Sequence, residues 1–256
     1  FESGGPAANA YCLFRPLEGV RGKFTGEQVS AAVRGGYRHH PRTSLVTIEN
    51  TTNMGGGAVW TVDEVAAVAE AARARGVKLH MDGARLANAA VAAGVPLAAY
   101  GRLCDTVWLD FSKGLGAPIG ACLAGSGEAI HEAWRIKQQL GGAMRQAGIV
   151  AAAALHALDH HVERLAEDHA RAAELAAAVR ELPGLDLVNP PVETNLVFIS
   201  TAAGGWSAPA LSEALAARGV RIGAIGPDTL RACTHLDVDD AGIEQAIGAL
   251  REVLAG

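Results

Sequence analysis

Between Leu45 and Gly120 the chain alternates short apolar, β-branched runs with longer stretches of helical spacing. Leu45-Val-Thr-Ile-Glu49, Val77 to Asp82 and Thr106 to Phe111 read as buried strands. The segment after the first run opens with Thr61-Val-Asp-Glu64, a capping-box pattern, runs as a helix to Arg75, and is stopped by Gly76. Leu86 to Ala93 is a second helix between strands. Strand, helix and strand in turn are the grammar of a parallel sheet with right-handed crossovers. The expected fold class is therefore α/β, a mostly parallel sheet flanked by helices. With 256 residues, half of them apolar, the chain can bury a large core in one or two domains.

Two of these strands end in charged residues followed by glycine. Val77-Lys-Leu-His-Met-Asp-Gly-Ala-Arg85 delivers Asp82 and Arg85, and Leu109-Asp-Phe-Ser-Lys-Gly114 delivers Lys113. In an α/β sheet, residues just past the carboxyl ends of the strands line the ligand crevice. Taken singly, an Asp-Gly after a strand is a turn and a lysine beside glycines is solvated. Together, about thirty residues apart with a helical pattern between them, they suit pyridoxal 5'-phosphate. The lysine amine would hold the aldehyde as a Schiff base and the aspartate would keep the ring nitrogen protonated.

These segments resemble the threonine aldolases of the β-eliminating-lyase branch of pyridoxal-phosphate enzymes. His80-Met-Asp-Gly-Ala-Arg-Leu-Ala-Asn-Ala89 is similar to their aspartate segment, and Ser112-Lys-Gly-Leu-Gly-Ala-Pro-Ile-Gly120 to their Schiff-base lysine segment. Gly141-Gly-Ala-Met-Arg-Gln-Ala-Gly148 is similar to their glycine-rich Met-Arg-Gln segment. Ile48 to Thr51 with Gly55 to Gly57, Thr194-Asn195, and Arg231-Ala-Cys-Thr-His235 come in matching order. The resemblance implies the aspartate aminotransferase fold (fold type I), with a large cofactor domain over residues 1–160 and a small α+β C-terminal domain with a linking helix over 161–256. It implies that Lys113 carries the cofactor, with Ser112 beside it, and that Asp82 pairs with the pyridine nitrogen. Arg85 would lie near the cofactor's phenolic oxygen and the substrate carboxylate, Arg231 would bind that carboxylate, and Arg145 would help hold phosphate. Arg145 would act across a subunit interface of a homodimer or homotetramer with shared sites. His39 and His40 align near a histidine lining the family's site, so either is a candidate general base, against a rival histidine in the segment that would precede Phe1.

The implied reaction is aldol cleavage of a β-hydroxy-α-amino acid, threonine or allo-threonine, to glycine and an aldehyde. Another lyase, racemase or transaldolase chemistry on the same scaffold, or a fragment that only packs, is the alternative. The chain also departs from the family pattern. It opens on Phe1-Glu-Ser-Gly-Gly5, a segment that in the family lies inside the large domain, so the family's phosphate loop is expected upstream. Glu2 reads equally as a surface charge or as facing the crevice. Thr52 stands where a His is frequent, Gln138 where a Lys is common, and Ala143 in place of a third glycine.

The rest of the sequence narrows the partners. A formal net charge of −5 gives no general basic footprint for nucleic acid. No apolar run reaches the roughly 18 residues that a membrane span needs. Cys12, Cys104, Cys122 and Cys233 are scattered, which suits reduced thiols and a cytoplasmic protein. His156 and His160 share a helical spacing of four but lack the intervening Glu of a metalloprotease, and no metal is expected. Ala121 to Ala124 reads as a strand whose direction is open, and Gly148 to Leu182 as two helices or one bent one.

Overall fold

The computed structural model describes residues 2–255, and the Glu2 side chain, with its open reading, falls outside that description. Two short front helices, α1 (Gly5–Ala10) and α2 (Gly26–Ala32), lead into β1 (Leu45–Glu49), α3 (Val62–Ala74), β2 (Lys78–Gly83), α4 (Leu86–Ala93), α5 (Leu97–Gly101), β3 (Thr106–Asp110) and β4 (Ala121–Gly125). Then come α6 (Gly127–Gln139), α7 (Gly148–His160) and α8 (Leu165–Glu181). The chain closes with β5 (Asp186–Leu187), β6 (Leu196–Ser200), α9 (Ala208–Ala216), β7 (Gly223–Ala224), β8 (Thr229–Cys233) and α10 (Asp240–Ala255).

The first sheet has the order β1-β2-β3-β4. β1 pairs with β2 and β2 with β3 in parallel, as the alternation requires. β4 pairs with β3 antiparallel, which settles the direction left open by its sequence. α3 starts at Thr61, whose hydroxyl accepts from the Glu64 amide while the Glu64 carboxylate accepts from the Thr61 amide. Its Val65, Val68, Ala69 and Ala72 form one buried stripe at helical spacing. That stripe packs with Val46, Ile48, Leu79, Met81 and Val107 from one face of the sheet, and with Trp60 and Tyr100. Tyr100 lies in α5, a one-turn helix without a sequence signature of its own.

The other face carries the alternate residues: Leu45, Thr47 and Glu49; Lys78, His80 and Asp82; Thr106 and Trp108. None of these is fully buried. β4 is exposed along its whole length, and α6 buries none of its side chains.

The second sheet, β5-β6-β8-β7, is antiparallel throughout. Val197, Ile199, Leu230 and Ala232 on one face pack with Leu175 and Val179 of α8, Leu211 and Leu215 of α9, and Ile243 and Leu250 of α10. Gly148 to Leu182 resolves into two helices, α7 and α8. The two sheets meet where Gly57 reaches Leu196 and Thr194. Gly57 has φ of +72°, and a Cβ there would lie 2.5 Å from Thr194 Oγ1, so only glycine fits. Thr194 Oγ1 donates to the Gly57 carbonyl at 2.8 Å, and Glu193 accepts from the Val59 amide while pairing with Arg21.

Candidate active site

The carboxyl ends of β1, β2 and β3 bring Glu49, Asp82 and the turn after Asp110 side by side, since Glu49 is the register partner of Asp82 and Asp82 of Trp108. The chain can turn sharply after Asp82 because Gly83 lies against β3. A Cβ at residue 83 would stand 2.1 Å from the Trp108 carbonyl oxygen. Asp82 Oδ1 accepts from the Ala84 amide at 2.9 Å, an Asx turn that fixes the carboxylate at the strand exit. Three residues on, Arg85 begins α4 and is 7% exposed.

Lys113 lies beyond β3 in a loop closed by Phe111 N to Gly120 O, Ala117 N to Phe111 O and Gly116 N to Lys113 O. Its ammonium lies 2.8 Å from Asp110 Oδ2 and 5.2 Å from the Trp108 ring centre. The other oxygen of that carboxylate, Oδ1, accepts from the Ser112 amide at 2.8 Å and the Ser112 hydroxyl at 2.6 Å. Burial pushes the Asp110 carboxyl up, but the Lys113 and Ser112 contacts outweigh it and hold the group below the ordinary carboxylate range. Glu49 moves the other way. Burial raises it, Asp82 adds to the rise, and the Asn53 amide, Arg85 and Lys113 oppose it only in part.

From the second sheet, Arg231 and Cys233 on β8 share a face with Leu196 and Phe198, turned towards the first sheet. The Arg231 Nε is buried without a partner. Burial lowers Arg85, with Cys233 opposing and Arg231 adding to the effect. Arg85 and Arg231 are thus close neighbours, and among the described residues neither forms an ion pair. Two desolvated guanidinium groups without a protein anion form a ready carboxylate receptor. Asn195, donating to the Thr234 carbonyl at 3.0 Å and to Cys233 Sγ at 3.3 Å, braces the same strand end.

The structure therefore gathers Asp82, Arg85, Lys113 and Arg231 at one crevice, with Ser112 at its margin. The Ser112 hydroxyl is already engaged by Asp110. Arg145 is exposed in the α6–α7 connection and has no partner among the described residues. His39 and His40 lie apart from these groups within the single chain. They lie in the exposed loop that enters β1 at its amino end, against Tyr37 and Arg38. That loop neighbours Arg75 and Gly76 before β2, the end of the sheet opposite Lys113. A parallel sheet holds the loops entering its strands apart from the loops leaving them by the strand length, roughly 16 Å for five residues. Four groups that sequence reasoning left without a role (Glu49, Trp108, Asp110 and Cys233) belong to the crevice. Strand alternation on β3 was the available signal for the two that share its open face. A cavity of about 680 Å³ lined by Lys78, Asp105, Thr106 and Gly125 lies at the amino end of β3, away from these groups.

The family model described as beta-eliminating lyase matches residues 1–203. The chain belongs to the β-eliminating lyase family. It is 37% identical over 256 residues to the low specificity L-threonine aldolase of Escherichia coli K12, covering all of this chain and 74% of that protein. It is 34% identical over 231 residues to the low-specificity L-threonine aldolase 1 of Arabidopsis thaliana, covering 89% of this chain and 64% of that one. Among solved structures, Leishmania major threonine aldolase superposes with a TM-score of 0.79 at 22% identity, over 93% of this chain and 69% of that one. Sphingomonas wittichii serine palmitoyltransferase superposes with 0.65 at 16% identity, over 89% and 58%. These likenesses establish fold type I.

The family's cofactor is pyridoxal 5'-phosphate, and the residues present fit its aldehyde and ring. They offer an amine at a strand exit, a carboxylate fixed in an Asx turn one strand away, and two unpaired guanidinium groups opposite. Among the described residues no helix is long and apolar enough to cross a membrane, and no group of three metal-ligating side chains occurs.

Proposed function

We propose that this chain carries the aldol cleavage of a β-hydroxy-α-amino acid, threonine or allo-threonine, to glycine and an aldehyde. The observation that carries the reading is the pair of unpartnered guanidinium groups, Arg85 and Arg231, brought from different sheets to the crevice that holds Lys113 and Asp82. In this reading Lys113 Nζ is the attachment point for the cofactor aldehyde. Asp82 holds a proton on the ring nitrogen, which its fixed carboxylate favours. Arg85 and Arg231 grip the substrate carboxylate and so fix the orientation of the bonds at Cα. When bound, pyridoxal phosphate supplies the sink for the electron pair released as the Cα–Cβ bond breaks. A base must reach the β-hydroxyl at about 2.6 to 3.2 Å, directly or through one water. Within one chain His39 and His40 lie at the other end of the first sheet, so in this reading either would serve as that base only at the site of a second copy.

The named E. coli and Arabidopsis relatives support the substrate class. The chain spans 64% to 74% of their length, so the activity of the whole protein is inferred here from the crevice and the family together. In the same reading, residues 1–160 form the cofactor domain and 161–256 the small domain, divided at the turn between α7 and α8. Arg145, exposed in the α6–α7 connection, would reach the phosphate of a second copy in a homodimer or homotetramer.

The test is intact mass after borohydride reduction with pyridoxal phosphate, with peptide mapping. The expected result is one reduced pyridoxyl adduct, on Lys113. Product analysis then separates the chemistries: glycine and acetaldehyde from threonine support cleavage, whereas pyruvate and ammonia from serine would identify an elimination instead.

A further inference from the structure

We propose that Asp110 is the positioning residue that receives the Lys113 ammonium whenever that lysine is displaced by a substrate amine. The inference rests on the reading of Lys113 as the cofactor-bearing lysine. It adds a residue to which no role attaches from the strand-end motifs.

The carboxylate is built for the task by a division of labour between its oxygens. Oδ1 takes both Ser112 donors, at 2.8 and 2.6 Å, which locks the side-chain torsion. Oδ2 is left for Lys113 alone, at 2.8 Å. Asp110 is 8% exposed, so its carboxylate sits where screening is weakened, while the Lys113 side chain stays 37% exposed and open to a ligand. Trp108, on the same face of β3, lies under the ammonium and turns its π-face to the same cation. Nearby charges are Glu49, which also feels Lys113, and Arg85, which feels Asp110. The lysine therefore has a prepared resting place three residues from its own Cα.

The chemistry of exchange explains why such a place matters. An incoming amino acid arrives as an ammonium. Once it has given up one proton, its nitrogen would take the place of Lys113 Nζ on the aldehyde carbon, and the protons that the substrate nitrogen loses would pass to Lys113, which would leave as an ammonium. No oxidant or further reactant is involved. The exchange would leave a full positive charge on Lys113 in a crevice that also holds Arg85, a neighbour of Asp110, where without a counter-ion it would be disfavoured. Asp110 Oδ2 supplies the counter-ion, tilting the exchange towards the substrate and restraining the lysine from returning early.

Asp110→Asn is close to isosteric. It keeps an oxygen for the Ser112 donors and replaces Oδ2, the atom that meets Lys113, with an amide nitrogen. Trapping by pyridoxal 5'-phosphate and cyanoborohydride at pH 7 should reach Lys113 about tenfold faster in the variant, because Nζ is no longer held against the Oδ2 carboxylate oxygen. The threonine concentration that half-suppresses trapping should rise about tenfold, and KM should rise with it more than kcat falls. Asp110→Glu, which restores the charge, should return both values most of the way. Equal trapping rates and equal threonine competition in wild type and Asp110→Asn would overturn the inference while leaving Lys113 as the cofactor lysine. Absence of an adduct on Lys113 in both proteins would overturn that underlying reading, and the inference with it. A loss of Ser112-loop order without a change in the competition would assign Asp110 a structural role only and also overturn the proposal.

Discussion

The two sheets of this protein are covered very differently. The antiparallel β5-β6-β8-β7 sheet has Leu196 and Phe198 buried on one face and Val197, Ile199 and Leu230 on the other, under α8, α9 and α10. The β1-β2-β3-β4 sheet is buried on one face only. Its second face carries Lys78, His80, Asp82 and Trp108, and its β4 edge and α6 carry exposed Leu123, Trp134, Ile136 and Leu140. Hydrophobic burial is thus concentrated in the α3–α4 layer and the C-terminal unit. The charged groups of the crevice occupy the face where burial is least complete. A ligand could reach Lys113 and the two unpaired arginines there, and a fully packed face would exclude it. The C-terminal sheet contributes to the crevice through one face of β8, by Arg231 and Cys233.

The largest expected effect sharpens this division between chemistry and packing. Lys113→Ala should abolish reductive trapping of pyridoxal phosphate, and with it activity, while leaving the unfolding midpoint in urea close to wild type, because its side chain is more than a third exposed and Asp110 keeps both Ser112 donors. A large loss of stability in that variant would break the division. Asp168→Ala addresses the covered unit. Asp168 is fully buried and pairs with Arg164, and removal of one partner of a buried ion pair costs about 3–5 kcal/mol. Urea unfolding should show that loss, whereas an exposed pair such as Arg135 with Glu132 should show almost none when broken.

Next in size is the contrast of two leucines. Leu211→Ala, in the C-terminal core, should cost about 2–5 kcal/mol, and Leu123→Ala, on β4, within about 0.5 kcal/mol. If Leu123→Ala proved as costly as Leu211→Ala, the β4 edge would be covered in solution, and sedimentation at several concentrations would show whether a second copy covers it. The smallest effect concerns acid. Asp110 has its folded value below the ordinary one, so the stability it contributes is complete above an unfolded value of about 3.9 and is lost as pH falls through the folded value. Asp110→Asn should therefore flatten the acid limb of the stability curve below about pH 4, with little change in its slope near pH 7.

Much of this was legible locally. The helix α3 announces itself through Thr61 and Glu64 at one end and Gly76 at the other. Its buried stripe and the alternating strands fix the parallel part of the sheet. The segments around Asp82 and Lys113 can be placed at strand exits from their own residues, because the apolar run, the charge and the glycine are contiguous. The Thr25 cap of α2 and the acidic entry to α10 are local in the same way. Each of these features depends on hydrogen bonds and side-chain periodicity within about a dozen residues, which a sequence displays directly.

What the chain order could not display is convergence. Arg85 and Arg231 stand 146 positions apart in the numbering, and only the packing of β8 towards the first sheet makes them neighbours. The antiparallel pairing of β4 was fixed by the path of the Lys113 loop rather than by the composition of the strand. His39 and His40 align near a histidine of the family's site, and the direction of β1 puts them at the opposite end of the sheet from Lys113 within one chain. The service of Asp110 to Lys113 arises from a loop that folds back on its own strand, bringing an amine onto an oxygen that Ser112 leaves free. Backbone hydrogen bonding is decided by neighbours along the chain. The pairing of charges across a crevice is decided by which apolar faces must be buried together, and that is a property of the whole fold.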